Sequence, residues 1–189
     1  MIETLLNYDK ELFLFLNNLG TPTWDNLWLI ITNKFTFFPL YALLLFFIYK
    51  RLGLKTMLIS IVVIALMITF TDQITNAFKH GFKRLRPCWE EGVKEHMRYI
   101  ASRSGRYGFF SGHASNSMAA AVFAGLVLRP YYRKLIFILL FWSGIVAYSR
   151  IYVGVHYPLD IFCGMTFGAI SGYGFYRLLN YLQKRFISS

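Results

Sequence analysis

The chain is a series of long uncharged runs joined by short basic turns. Residues 35–49 read FTFFPLYALLLFFIY, and residues 56–71, 114–128, 135–149 and 161–176 are equally free of charge. A helix needs about 20 mostly apolar residues to cross a bilayer core. Runs this apolar, repeated five times, leave little else to build. The chain is 15% charged, where a soluble domain carries roughly a quarter. The expected fold class is all-α, an integral membrane helical bundle. Spans are expected near 27–49, 54–79, 112–129, 133–150 and 157–180, and Lys34 either delays the first or breaks it. With the N-terminal segment this makes about five to six transmembrane helices.

The opening stretch, MIETLLNYDKELFLFLNNLG, has early acids, no basic leader and no small-residue cleavage site, so it does not resemble a signal peptide. It reads as an N-terminal amphipathic helix with Leu5, Leu6, Leu12, Phe13 and Leu16 on one side. Such a helix either lies in the membrane interface or packs on the bundle. No repeat or linker divides residues 1–189, which read as a single domain. Cys88 and Cys163 lack metal-ligand spacing, and no metal or cofactor is expected. The net charge of +11 raises nucleic acid as a partner, but the bases flank apolar runs. That placement favours membrane lipids over nucleic acid; no feature of the sequence fixes an oligomeric state.

Alternation of five spans sorts the loops. The turns at 50–55 and 129–134 and the C-terminal tail hold Lys50, Arg51, Lys55, Arg129, Arg133, Lys134, Arg177, Lys184 and Arg185, with no acid. Basic short loops stay in the cytoplasm, so the long 80–111 loop is expected outside. The same alternation gathers Lys79, Arg86, Ser111, His113, Arg150, His156 and Asp160 at the outer face. Three bases beside two histidines and one carboxylate describe a phosphate site, because Arg presents a planar fork to phosphate oxygens. Gly112 and the free N–H groups of a helix start add neutral donors. From residue 96 onward Asp160 is the only acid. Pro158 places a helix start beside it, so His156 and Asp160 lie one turn apart. A carboxylate on one imidazole nitrogen leaves the other as a directed nucleophile or base. His113, on another helix, is then the matching acid. The residues alone leave open which histidine attacks; Asp160 is the sole argument for His156.

KHGFKRLRP matches Lys-x6-Arg-Pro, FSGH matches Pro-Ser-Gly-His, and SRIYVGVHYPLD matches Ser-Arg-x5-His-x3-Asp. In this order and spacing, over residues 79–160, the set resembles the signature of the type 2 phosphatidic acid phosphatase superfamily, in its membrane-bound lipid phosphatase branch. Phe110 departs from the motif, which has Pro there. The resemblance implies a metal-independent phosphatase working through a phospho-histidine. His156 would be the nucleophile, Asp160 its orienting partner and His113 the proton donor. Lys79, Arg86, Ser111, Gly112 and Arg150 would hold the phosphoryl oxygens. Lys83 and Arg84 lie off the motif and read as interfacial anchors. Asp72 reads as the partner of a nearby base.

The resemblance also bounds the substrate to a lipid phosphate. Undecaprenyl diphosphate ranks first, phosphatidylglycerophosphate second and lipid A phosphate third, with phosphatidic acid also in the family's range. The expected location is a bacterial cytoplasmic (inner) membrane, multi-pass, with the site facing the outer, periplasmic side. Two rivals remain: a lipid-phosphate transporter or flippase, which needs only the bases, and a structural membrane protein, which leaves Asp160 without a role.

Overall fold

A computed structural model of the chain describes residues 2–101 and 104–187. Its helices are α1 (Ile2–Asn18), α2 (Pro22–Thr32), α3 (Phe38–Phe82), α4 (Gly112–Leu128), α5 (Leu135–Tyr152) and α6 (Pro158–Phe186), with a 3-10 turn at Pro87–Trp89. Among the described residues there is no strand, only an isolated antiparallel bridge between Leu85 and Tyr107.

Gly53 interrupts α3 with φ 82° and ψ 172°, a backbone state that favours glycine. The helix turns back there. Leu44 and Ile48, before the turn, share one buried cluster with Val63 and Met67 after it. α3 is therefore two antiparallel legs, and these with α4, α5 and α6 make five. By length and composition, α3 and α5 are apolar enough to cross a membrane, while α4, at 17 residues, is shorter. The two turns at the far end touch: Arg51 Nε donates to Tyr132 Oη at 3.1 Å. That contact puts residues 50–55 and 129–134 at the same end of the bundle.

The expected span at 27–49 is broken. α2 stops at Thr32 and α3 starts at Phe38. Asn33 is the local cause, because its Oδ1 accepts from Phe35 N at 3.0 Å and so replaces a helical bond with a side-chain turn. The break drops Lys34 out of the helix and into the site described below.

α4 and α6 make the closest packing in the molecule. Gly164, Gly168 and Gly172 form a stripe on α6 that lies against the α4 backbone. A Cβ on Gly164 would stand 2.6 Å from the Ser111 carbonyl oxygen and one on Gly172 2.5 Å from that of Ala119, while one on Gly168 would collide with Ser115. Small residues at every fourth position let membrane helices approach this way.

α1 packs on the bundle, but through a different face from the one its apolar residues indicate. Phe13 and Leu16 turn inward, whereas Leu5 and Leu12 are exposed. The buried line is Asp9, Phe13 and Asn17. Asn17 Nδ2 donates to the Ile151 carbonyl at 3.0 Å and its Oδ1 accepts from Arg98 N at 2.7 Å. Polar anchors, not apolar area, set the orientation.

The glycine stripe makes a direct prediction. Gly168→Leu must push α6 off α4 and should lower thermal stability in detergent by about 1–3 kcal/mol or more, the usual cost of overpacking. Gly174→Ala, where a Cβ meets nothing within 4 Å, should leave it unchanged.

Candidate active site

The site lies where α4 and α6 begin. Ser111 N donates to the Asp160 carbonyl at 3.0 Å, which locks the two helix starts at one level. Ser111 caps α4 by accepting from Ala114 N at 3.4 Å. Tyr157 precedes Pro158, and Asp160 Oδ2 accepts from Tyr157 N at 3.1 Å, closing the first turn of α6. The loop after α3 is held by a two-residue pairing. Arg86 N donates to the Arg106 carbonyl at 3.0 Å and Gly108 N to that of Arg84 at 2.9 Å. Arg86 Nε is bound to the Tyr107 carbonyl at 3.0 Å.

These elements enclose a cavity of about 310 Å³ lined by Lys79, Arg86, Gly112, His113, Arg150 and His156 among others. Six of the eight residues expected at the site thus face one space. The other two do not. Ser111 and Asp160, both 0% exposed, stand behind the wall, Ser111 turned back to its own helix and Asp160 behind His156. Arg150 donates from NH1 to Thr32 Oγ1, and its buried Nε has no hydrogen-bond partner among the described residues. A buried, unpartnered guanidinium N–H in a wall with three further bases, Lys34, Lys79 and Arg86, is a donor set suited to an anion.

His156 Nδ1 lies 3.4 Å from Asp160 Oδ2, a long contact in keeping with a catalytic pair that tightens on substrate. The ring sits in the turn between α5 and α6. Burial, then the Arg86 and Arg150 guanidiniums, hold its pKa well below the ordinary histidine value. It is therefore neutral at pH 7, the form in which a ring nitrogen can attack. Gly108 packs directly on this pair: a Cβ there would stand 3.1 Å from Asp160 Oδ2 and 3.0 Å from Arg86 Cγ.

Two readings need correction. Arg84 is no surface anchor. Its side chain is only 15% exposed and forms ion pairs with Asp160 at 2.8 Å and Asp9 at 2.6 Å. Asp72 forms no ion pair among the described residues; its Oδ1 accepts from Asn116 Nδ2 at 2.8 Å, and Asn116 Oδ1 accepts from Thr71 at 2.5 Å. In the same region Glu90 pairs with Lys10 at 2.5 Å. The sequence reading also missed Thr32, Lys34 and Asn116 as cavity residues. Lys34 had one legible signal, a charge within an otherwise apolar stretch.

A second cavity of about 460 Å³ runs between the two legs of α3 and α4, lined by Leu44, Leu45, Ile48, Ile64, Met67 and Phe123 among others. Lys34, Tyr41, Asp72 and Asn116 line both cavities. A polar chamber thus adjoins an apolar one.

The PAP2 superfamily model matches residues 58–184. The chain belongs to the PAP2 superfamily. It is 36% identical over 188 residues to a protein of Bacteroides thetaiotaomicron named Lipid A 4'-phosphatase, covering 98% of this chain and 83% of that one. It is 31% identical to a Lipid A 4'-phosphatase of Porphyromonas gingivalis, covering 100% and 80%. An Undecaprenyl-diphosphatase of Sulfolobus acidocaldarius matches at 28%, covering 88% and 76%. The fold matches the crystal structure of a transmembrane PAP2 type phosphatidylglycerolphosphate phosphatase from Bacillus subtilis with a TM-score of 0.74 at 16% identity, covering 97% of this chain and 88% of that chain. This PAP2 chain is a membrane lipid phosphatase, as its motifs indicated.

Gly108→Val should place a branched side chain against the His156–Asp160 pair. Turnover is expected to fall at least about tenfold, as sub-ångström displacement of reacting groups does. Wild-type phosphate release from this variant would mean that the pair needs no such close support.

Proposed function

We propose that the protein removes a phosphate monoester from lipid A, with His156 as nucleophile. The substrate reading rests on one observation, the similarity along almost the whole chain to proteins named Lipid A 4'-phosphatase. It moves lipid A above undecaprenyl diphosphate and phosphatidylglycerophosphate, the order the motifs alone favoured. The paired cavities support a substrate with a phosphate head and apolar chains. The polar chamber takes the phosphate and the apolar one takes acyl chain.

In the proposed reaction, His156 attacks phosphorus, the P–O bond to the lipid breaks, and His113 gives its proton to the leaving oxygen. Water then attacks the phospho-histidine. His113 takes a proton from it, the P–N bond breaks, and inorganic phosphate leaves. Asp160 holds the His156 ring and supports its positive charge. Lys79, Arg86, Arg150 and the backbone N–H groups at Gly112 hold the three phosphoryl oxygens where charge develops. Ser111 serves by fixing the start of α4. The cationic and N–H donors offer no oxygen set of the kind Mg²⁺ prefers.

The test is phosphate release by the detergent-purified protein, with EDTA present, from lipid A bisphosphate, undecaprenyl diphosphate, phosphatidylglycerophosphate and phosphatidate. Lipid A should be turned over fastest, His156→Ala should be inactive, and Asp160→Asn should be slow rather than dead. Faster hydrolysis of undecaprenyl diphosphate would displace the lipid A reading. A loss of activity in EDTA that Mg²⁺ restores would remove the metal-free mechanism.

We also propose that the site faces the outside of the inner membrane, because the acid-free basic turns lie at the opposite end of the bundle. In a background with Cys88 and Cys163 replaced, Ser104→Cys should react with an impermeant thiol reagent added to intact cells. Lys55→Cys should react only after the membrane is opened. The reverse pattern would invert the orientation.

A further inference from the structure

Arg84 is a mostly buried cation at this end of the molecule that does not line the phosphate chamber. Lys79, Arg86 and Arg150 line the chamber, whereas Arg84 is absent from its wall. Its guanidinium lies over the Tyr157 ring, 4.3 Å from the centroid. From there NH1 donates to Asp160 Oδ1 at 2.8 Å and NH2 to Asp9 Oδ2 at 2.6 Å. The other oxygen of Asp9 accepts from Leu159 N at 2.8 Å. Asp9 thereby supplies a side-chain acceptor to the first turn of α6, next to the residue that holds His156.

Both oxygens of Asp160 are thus committed. Oδ1 takes the Arg84 bond; Oδ2 takes Tyr157 N and faces His156 Nδ1. The side chains of Asp9, Arg84 and Asp160 are 5%, 15% and 0% exposed. A carboxylate this deeply buried stays charged only beside a cation. If it took a proton, it could no longer support an imidazolium. A guanidinium fork fixes direction as well as charge, which a lysine ammonium does not. The row of two negatives around one positive also carries a net negative charge toward His156. That is the sign needed when the ring becomes a phospho-imidazolium.

We propose that Arg84 and Asp9 are positioning residues for phosphoryl transfer. They keep Asp160 ionised and aimed at His156, and they make the docked N-terminal helix part of the catalytic support. The proposal rests on His156 as nucleophile.

The experiment uses full-length variants in detergent with the best substrate of the lipid panel. Arg84→Met should lower kcat by about 10- to 100-fold, the usual effect of losing a residue that orients a reacting group, while KM stays within about twofold. Arg84→Lys should fall between the two, and Asp9→Asn should lower kcat with KM unchanged. Added to Asp160→Asn, Arg84→Met should cost nothing further, because Arg84 acts through that carboxylate. An unchanged kcat, a raised KM alone, or additivity with Asp160→Asn would overturn the proposal. If Arg84→Met does not yield folded protein, Arg84→Lys and Asp9→Asn decide by the same kcat readout. Activity retained in His156→Ala would instead remove the nucleophile reading. Inactive His156→Ala with a fully active Arg84→Met removes only this inference.

Discussion

Everything at this site depends on two helices, α4 and α6, starting side by side. The Gly164, Gly168 and Gly172 stripe lets α6 lie on the backbone of α4, and the Ser111–Asp160 backbone bond fixes their relative height. Without that contact His113, at the start of α4, and His156, in the turn before α6, would have no common space between them. Van der Waals packing is the main force that holds such helices together in lipid, since the surroundings are as apolar as the side chains. The glycines therefore contribute to the chemistry although none of these three touches the chamber.

The second constraint is electrostatic. The chain gathers Lys79, Arg86, Arg150 and Arg84 at one end, and Asp72 is the one acid that lines the chamber among the described residues. Three of these bases face the chamber, and in the proposed reaction a phosphate would relieve their repulsion. The fourth is turned away and neutralised by Asp9 and Asp160. Sorting the cations this way keeps Asp160, which stands outside the chamber, for the histidine. Removing one partner from a buried ion pair costs about 3–5 kcal/mol, so this sorting also holds α1 against the bundle.

The two chambers give the enzyme its reach. Asp72 and Asn116 join them, hydrogen-bonded to each other, and Lys34 stands at the same boundary because Asn33 ended α2 early. In the proposed substrate placement, the polar groups at this neck meet the part of the lipid that follows the phosphate. A break in a helix, costly in a bilayer, is tolerated where it lines a polar cavity.

The sequence alone determined the membrane legs, the turn at Gly53, the common end of the motif residues and the pairing of His156 with Asp160. Those features follow from local rules: uncharged runs, alternation across a bilayer, and one helical turn between positions 156 and 160. Tertiary structure decided the rest. Arg84 looked like a lipid anchor because its partners are 75 and 76 residues away, and no periodicity connects such positions. Asp9 looked like one of the polar residues of an amphipathic helix because the apolar pattern of α1 points to another face. The Gly164, Gly168 and Gly172 stripe was written in the chain at four-residue spacing, yet only the packed structure assigned it to α4. Local patterning fixes which residues share an end of the bundle; the partner of each buried charge is set by how the helices dock.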